Sequence, residues 1–186
     1  MASVASQAQT FINHTVSSTL PSSSHSFTSN GNAIWLNLSN FTFSSGFADV
    51  AWTFDFFAPT NQSYSSVELV IEGTVNDGSL EIIGTENVFD TGTGPAVLNT
   101  QGILNSTVTG NPGPTTFSAT QTFALTPNIH KGNVSKDILF IFTPNGTNSS
   151  VNITRVCQVF TPVPEPATMA GLALGLGAIV SRRRKK

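Results

Sequence analysis

Val67-Glu68-Leu69-Val70-Ile71-Glu72-Gly73-Thr74-Val75, then Asn76-Asp77-Gly78, then Ser79-Leu80-Glu81-Ile82, is the stretch whose reading decides the fold. Val67, Leu69, Ile71 and Val75 alternate with Glu68, Glu72 and Thr74. A period of two marks a strand with one face buried and one face wet. Asn76-Asp77-Gly78 supplies residues that tolerate the positive backbone angles of a tight turn, and Leu80 and Ile82 resume the alternation around Glu81. The spacing predicts a hairpin.

The same alternation extends in both directions. Ile103 to Thr109 and Thr115 to Thr126 form a second predicted pair, joined by Gly110-Asn111-Pro112-Gly113-Pro114. In it Phe117, Ala119, Phe123 and Leu125 face a core while Ser118, Thr120, Thr122 and Thr126 face out. Further strands are predicted over Ile34 to Leu38, Asn40 to Phe43, Ala51 to Phe57, Ile138 to Thr143 and Val151 to Phe160. The unbroken run Ile138-Leu139-Phe140-Ile141-Phe142 reads as a central strand covered on both sides. With no helical periodicity before the C-terminal tail, the expected fold is an all-β antiparallel two-sheet sandwich, jelly-roll or immunoglobulin-like. A parallel β-helix is the alternative, although no fixed repeat period supports it.

Charge is unevenly divided. Residues 1–160 carry nine acids against Lys131, Lys136 and Arg155, a net of −6, whereas from Val163 onward Glu165 faces five bases, a net of +4. An acidic body argues against nucleic acid as a partner, because phosphate binding needs clustered cations on the folded surface. Cys157 is the single cysteine, so paired-cysteine metal sites and internal disulfides are excluded. It reads as a small buried hydrophobe in a late strand. His14, His25 and His130 form no metal or nucleophile motif, and no cofactor or metal is expected.

Carboxylates offer the remaining chemistry. Asp49 with Asp55, or Glu68 with Glu72, are candidate pairs for a polysaccharide hydrolase or lyase, which needs two acids flanking the scissile bond. Asp77, Glu81, Glu86 and Asp90 are candidate calcium oxygens, but their spacing matches no calcium loop. Nine Asn-X-Ser/Thr triplets, from Asn13 to Asn152, read as a consequence of the Ser-, Thr- and Asn-rich composition. Thr91-Gly92-Thr93, Thr107-Val108-Thr109 and Thr120-Gln121-Thr122 raise an ice-binding alternative, with the second and third expected side by side.

At the N-terminus, residues 1–30 read as a polar lead-in or edge. Ser3-Val4-Ala5-Ser6-Gln7-Ala8-Gln9 has the small-residue character of a signal-peptide end, so Met1 is expected to lie inside a longer export signal that starts upstream.

At the other end Thr161-Pro162-Val163-Pro164-Glu165-Pro166 reads as a hinge that proline keeps from being helix interior or central strand. Ala167 to Val180 is uncharged, including Gly171, Leu172, Leu174, Leu176 and Ile179, and Ser181 gives way to Arg182, Arg183, Arg184, Lys185 and Lys186. An apolar run followed by bases is the pattern of a membrane segment whose charged end stays cytoplasmic. The ordered features Val163-Pro164-Glu165-Pro166-Ala167, the Gly- and Leu-rich run and the basic end resemble the PEP-CTERM sorting signal, a tail also labelled ice-binding protein C-terminal domain. The resemblance implies a Gram-negative producer, recognition and processing by a membrane-embedded exosortase, contact with membrane lipid before processing, and association with an extracellular polysaccharide matrix.

The expected organisation is therefore a lead-in at 1–30, a β-sandwich ectodomain at 31–160, a hinge at 161–166, a short transmembrane helix at 167–181 and a basic cytoplasmic end at 182–186. The expected function is a non-catalytic surface or extracellular-matrix protein whose hydroxyl- and amide-bearing side chains contact exopolysaccharide.

Overall fold

A computed structural model describes residues 9–59, 62–92 and 94–163. In chain order its strands are β1 (Thr10–Ser18), β2 (Ser24–Asn30), β3 (Ala33–Ser39), β4 (Thr42–Phe43), β5 (Gly46–Phe57), β6 (Ser63–Asn76), β7 (Gly78–Asp90), β8 (Val97–Gly110), β9 (Thr115–Ile129), β10 (Lys131–Pro144) and β11 (Ser150–Val163). One sheet runs β1-β5-β10-β7-β8 and the other β2-β3-β11-β6-β9, with β4 beside β11. Every pairing is antiparallel, which removes the β-helix alternative. Without β1, β2 and β4, the orders β5-β10-β7-β8 and β3-β11-β6-β9 are those of a jelly roll.

That topology corrects both predicted hairpins. β6 and β7 lie in different sheets, and so do β8 and β9. The turn at Asp77 carries the chain across the sandwich. Asp77 has φ +50 and bonds to neither flanking strand across the turn: its N–H donates to Asn111 O at 3.1 Å, and its carbonyl accepts from Asn145 N at 2.9 Å. Those backbone groups are satisfied by two other loops, an arrangement that a local pattern cannot reveal. Gly78 is required by packing: a Cβ there would lie 2.5 Å from the Phe142 ring. A sequential hairpin does form between β2 and β3, where Asn30 pairs with Ala33 and Gly31 takes φ +57.

Two further differences concern the ends. Residues 1–30, read as a polar lead-in or edge, supply β1 and β2, which do edge the two sheets, so the sandwich begins before residue 31. Pro162 sits inside β11 at a register shift between Thr161 and Pro162. It is tolerated because β3 pairs with β11 only from Arg155 to Val159, leaving β11 without a β3 partner where proline has no N–H to give.

Inward positions fill one core. From β5 come Ala48, Val50, Trp52, Phe54 and Phe56, and from β6 Tyr64, Val67, Leu69, Ile71 and Val75. Phe160 binds the layers together, with ring centroids 4.6 Å from Phe56 and 5.0 Å from Tyr64. β10 is central as predicted, yet within the run 138–142 only Ile138, Phe140 and Phe142 are buried; Leu139 and Ile141 are half-exposed on the outer face beside Phe47.

A buried ion pair interrupts this apolar core. Lys136 Nζ donates to Glu86 Oε2 at 3.1 Å and to Gln158 Oε1, and stands 5.5 Å from the Trp52 ring centroid and 5.4 Å from that of Phe54. Lys136 and Gln158 come from facing sheets, so the contact pins one sheet to the other. Burial pulls the Lys136 pKa down, against the opposing pull of Glu86.

Candidate functional site

The outer face of the six-stranded sheet is built by parity. Ile34, Leu36 and Leu38 point into the core, which turns Trp35 and Asn37 outward. Register then places Thr28, Trp35, Cys157, Val70 and Thr120 in one row across five strands, and Ser26, Asn37, Arg155, Glu72 and Ser118 in an adjacent row. Trp35 is half-buried between Thr28 on β2 and Cys157 on β11. Asn37 Nδ2 donates to Thr28 Oγ1 at 3.0 Å, and the Arg155 guanidinium donates to Glu72. The sequence signal for Trp35 was an aromatic on the wet parity of a strand, and sequence reasoning passed over it.

Cys157, opposite Trp35 on β3 and Val70 on β6, is buried as expected. Burial lifts its thiol from 9.0 to about 11. Thiolate, the reactive form, is then scarcer by roughly a hundredfold at neutral pH. Dithionitrobenzoate at pH 8 is accordingly expected to label the native chain at least about tenfold more slowly than the urea-unfolded chain. Equal rates would show an open thiol.

The proposed carboxylate pairs are not brought together across a cleft. Asp49 and Asp55 lie on the outer face of β5 six residues apart, roughly 20 Å at about 3.3 Å per residue. Both are engaged: Asp49 Oδ1 accepts from Thr19 N at 3.1 Å, and Asp55 accepts from Asn13 Nδ2 at 2.6 Å and Asn133 Nδ2 at 2.8 Å. Glu68 and Glu72 are four residues apart on β6, roughly 13 Å by the same rise. Those spans exceed the roughly 5–9.5 Å between the two carboxyls of glycosidases.

The calcium candidates disperse as well. Asp77 is at one end of β7, Asp90 at the other, and Glu86 is buried against Lys136. No cluster of three metal-ligating side chains occurs among the described residues. Thr107 is on β8 and Thr120 on β9, in different sheets, so the two Thr pairs expected side by side are apart. His14 is half-buried, stacked on Phe27 with centroids 4.3 Å apart, and burial lowers its pKa.

At one end of the sandwich three inter-sheet connections converge on a cleft of about 410 Å³ lined by Asn76, Asp77, Pro112, Pro114, Thr147 and Asn148. Asn76 ties its walls: Nδ2 donates to Asn148 O at 2.8 Å and Oδ1 accepts from Gly113 N at 2.7 Å. Ser149 Oγ accepts from Gly146 N at 2.9 Å and donates to Asp77 O.

The described residues thus define an acidic jelly-roll sandwich with an outward tryptophan and an end cleft. Residues 162–185 match the PEP-CTERM protein-sorting motif, so this sandwich precedes an exosortase-type sorting tail. The predicted sorting, membrane and basic residues from Pro164 to Lys186 lie outside the described residues. No curated protein matches the chain in sequence. Among solved structures it is similar to tailspike protein 4 of bacteriophage CBA120, at 12% identity and TM-score 0.36, over 80% of this chain and 19% of that one. It is also similar to TmCBM61 in complex with β-1,4-galactotriose, at 9% identity and TM-score 0.37, over 79% of this chain and 88% of that one. At these scores neither likeness informs ligand or activity.

Proposed function

We propose that the chain is an exported, exosortase-processed, non-catalytic protein of the cell surface or extracellular matrix, held to exopolysaccharide by the outer face of its six-stranded sheet. The sorting motif at residues 162–185 supports export and processing. Polysaccharide association rests on one observation: Trp35 stands outward in two rows that carry Thr28, Ser26, Asn37, Ser118 and Thr120 together with Cys157, Val70 and the Arg155–Glu72 pair. An indole offers a flat apolar area to the C–H face of a sugar ring, and the surrounding hydroxyls and amides donate to and accept from its hydroxyls.

Retention of the full chain on polysaccharide from the producing cell measures this directly. Trp35→Ala is expected to weaken retention by about thirtyfold, the scale of losing an aromatic anchor of about 2 kcal/mol. If wild type and variant were retained equally, or neither were retained, the reading would fail. Trp35 faces outward, so the variant keeps the core intact.

A further inference from the structure

The end cleft differs in shape from the flat outer face of the six-stranded sheet. Its walls are fixed before any ligand arrives, because Asn76 bridges the β8–β9 connection to the β10–β11 connection through the two hydrogen bonds given above. Its volume of about 410 Å³ falls within the range of about 300–1,000 Å³ of small-molecule sites. Into it leans Asp77, whose carboxylate makes no hydrogen bond among the described residues. In this position the carboxylate lies against Gly146, where a Cβ would stand 2.3 Å from Asp77 Oδ2 and make the side chain swing aside. The remaining lining is Thr147, Asn148 and the apolar rings of Pro112 and Pro114, with no lysine or arginine.

An acceptor-only carboxylate, a hydroxyl, an amide and two proline rings form the complement of a ring that carries adjacent hydroxyls on one edge and C–H bonds on its face. Lacking a cation, the cleft disfavours uronate or sulfated units. It is also short and bounded by loops, so it takes a chain end, whereas the face around Trp35 runs across five strands and suits chain interiors. Resting on the polysaccharide reading, we propose that this cleft is a second, independent site that binds the terminal unit of an uncharged saccharide, with Asp77 accepting hydrogen bonds from two neighbouring hydroxyls.

Calorimetric titration of the full chain with cellotetraose, galactotetraose and tetragalacturonate tests this, alongside Asp77→Asn, Thr147→Trp and Trp35→Ala. Asn keeps the size of Asp77 and tolerates its φ of +50. Thr147 lines the cleft and is exposed, so Trp is expected to occupy the space without displacing a buried side chain. One or both neutral tetrasaccharides are expected to bind and the galacturonate to bind at least about tenfold more weakly. Both cleft variants should lose at least about tenfold in affinity, the scale of a charge-assisted hydrogen bond, and should lose as much in a Trp35→Ala background, where the face no longer contributes. Unchanged binding by Asp77→Asn and Thr147→Trp, with loss in Trp35→Ala, would overturn the cleft and leave the face reading standing. Absence of tetrasaccharide binding by the wild type would also overturn it, and retention on polymer would then judge the face alone.

Discussion

Lys136→Met is expected to destabilise the sandwich by about 3–5 kcal/mol, because it leaves Glu86 as an uncompensated charge in the core. Lys136 is 1% exposed and Glu86 0%, so neither solvent nor counterions can take over the lost partner. Glu86 Oε1 and Gln158 Nε2 already lack hydrogen-bond partners among the described residues. The pair is therefore incompletely satisfied, and removing it whole is less damaging than removing half. Lys136→Met combined with Glu86→Leu is expected to recover most of the loss, since well-packed apolar replacements of buried pairs are commonly neutral or better. Urea unfolding of the full chain, comparing midpoints at constant m-value, decides this. A single variant within about 1 kcal/mol of wild type would mean that the carboxylate reaches water or takes up a proton at little cost.

The same pair sets a pH dependence. Burial lowers the Lys136 pKa in the folded chain, so below the ordinary value of 10.5 the unfolded chain holds the proton more strongly. Stability from this group is then complete above 10.5 and declines as pH falls toward the lowered folded value. Cys157 runs the opposite way: its folded pKa is raised to about 11, so its contribution is complete below 9 and is lost as pH rises through about 11. Comparison in a Cys157→Ala background isolates the lysine.

Much of the sandwich was legible because parity is local. Val67, Leu69, Ile71 and Val75 are buried as the alternation required, and Glu68, Glu72 and Thr74 face out. Partner choice was not legible. A turn such as Asn76-Asp77-Gly78 closes a hairpin or crosses to the other sheet with the same residues, and here the decision is made by Asn111 and Asn145, which receive and supply the backbone hydrogen bonds of Asp77. Lys136 was hidden for a related reason. It occupies an inward parity position, between Val134 and Ile138, but only the register with Glu86 across β7 shows that an anion waits there. Trp35 could have been found from parity alone, with Ile34, Leu36 and Leu38 claiming the core.

The largest functional effect is expected in the sorting tail. Glu165 is the acid between Pro164 and Pro166, within the motif match at 162–185. Ala167 to Val180 is too short to be a firm anchor by itself: a helix of that length rises roughly 21 Å at about 1.5 Å per residue, against a hydrocarbon core of about 30 Å. Retention before processing is therefore expected to depend on Arg182 to Lys186, each costing about 2.5–3.5 kcal/mol to draw into the bilayer centre. The two features act at different steps, and variants should separate them. Glu165→Ala is expected to accumulate in the membrane at precursor mass, recognised poorly but still anchored. Replacing Arg182, Arg183, Arg184, Lys185 and Lys186 with serine is expected to release unprocessed chain into the medium, because nothing holds the short apolar run in place. Intact mass spectrometry of membrane and medium fractions reads both. Mature protein of wild-type mass and yield from the Glu165→Ala gene would remove Glu165 from the recognition step, and full membrane retention of the serine variant would show that the apolar run anchors unaided.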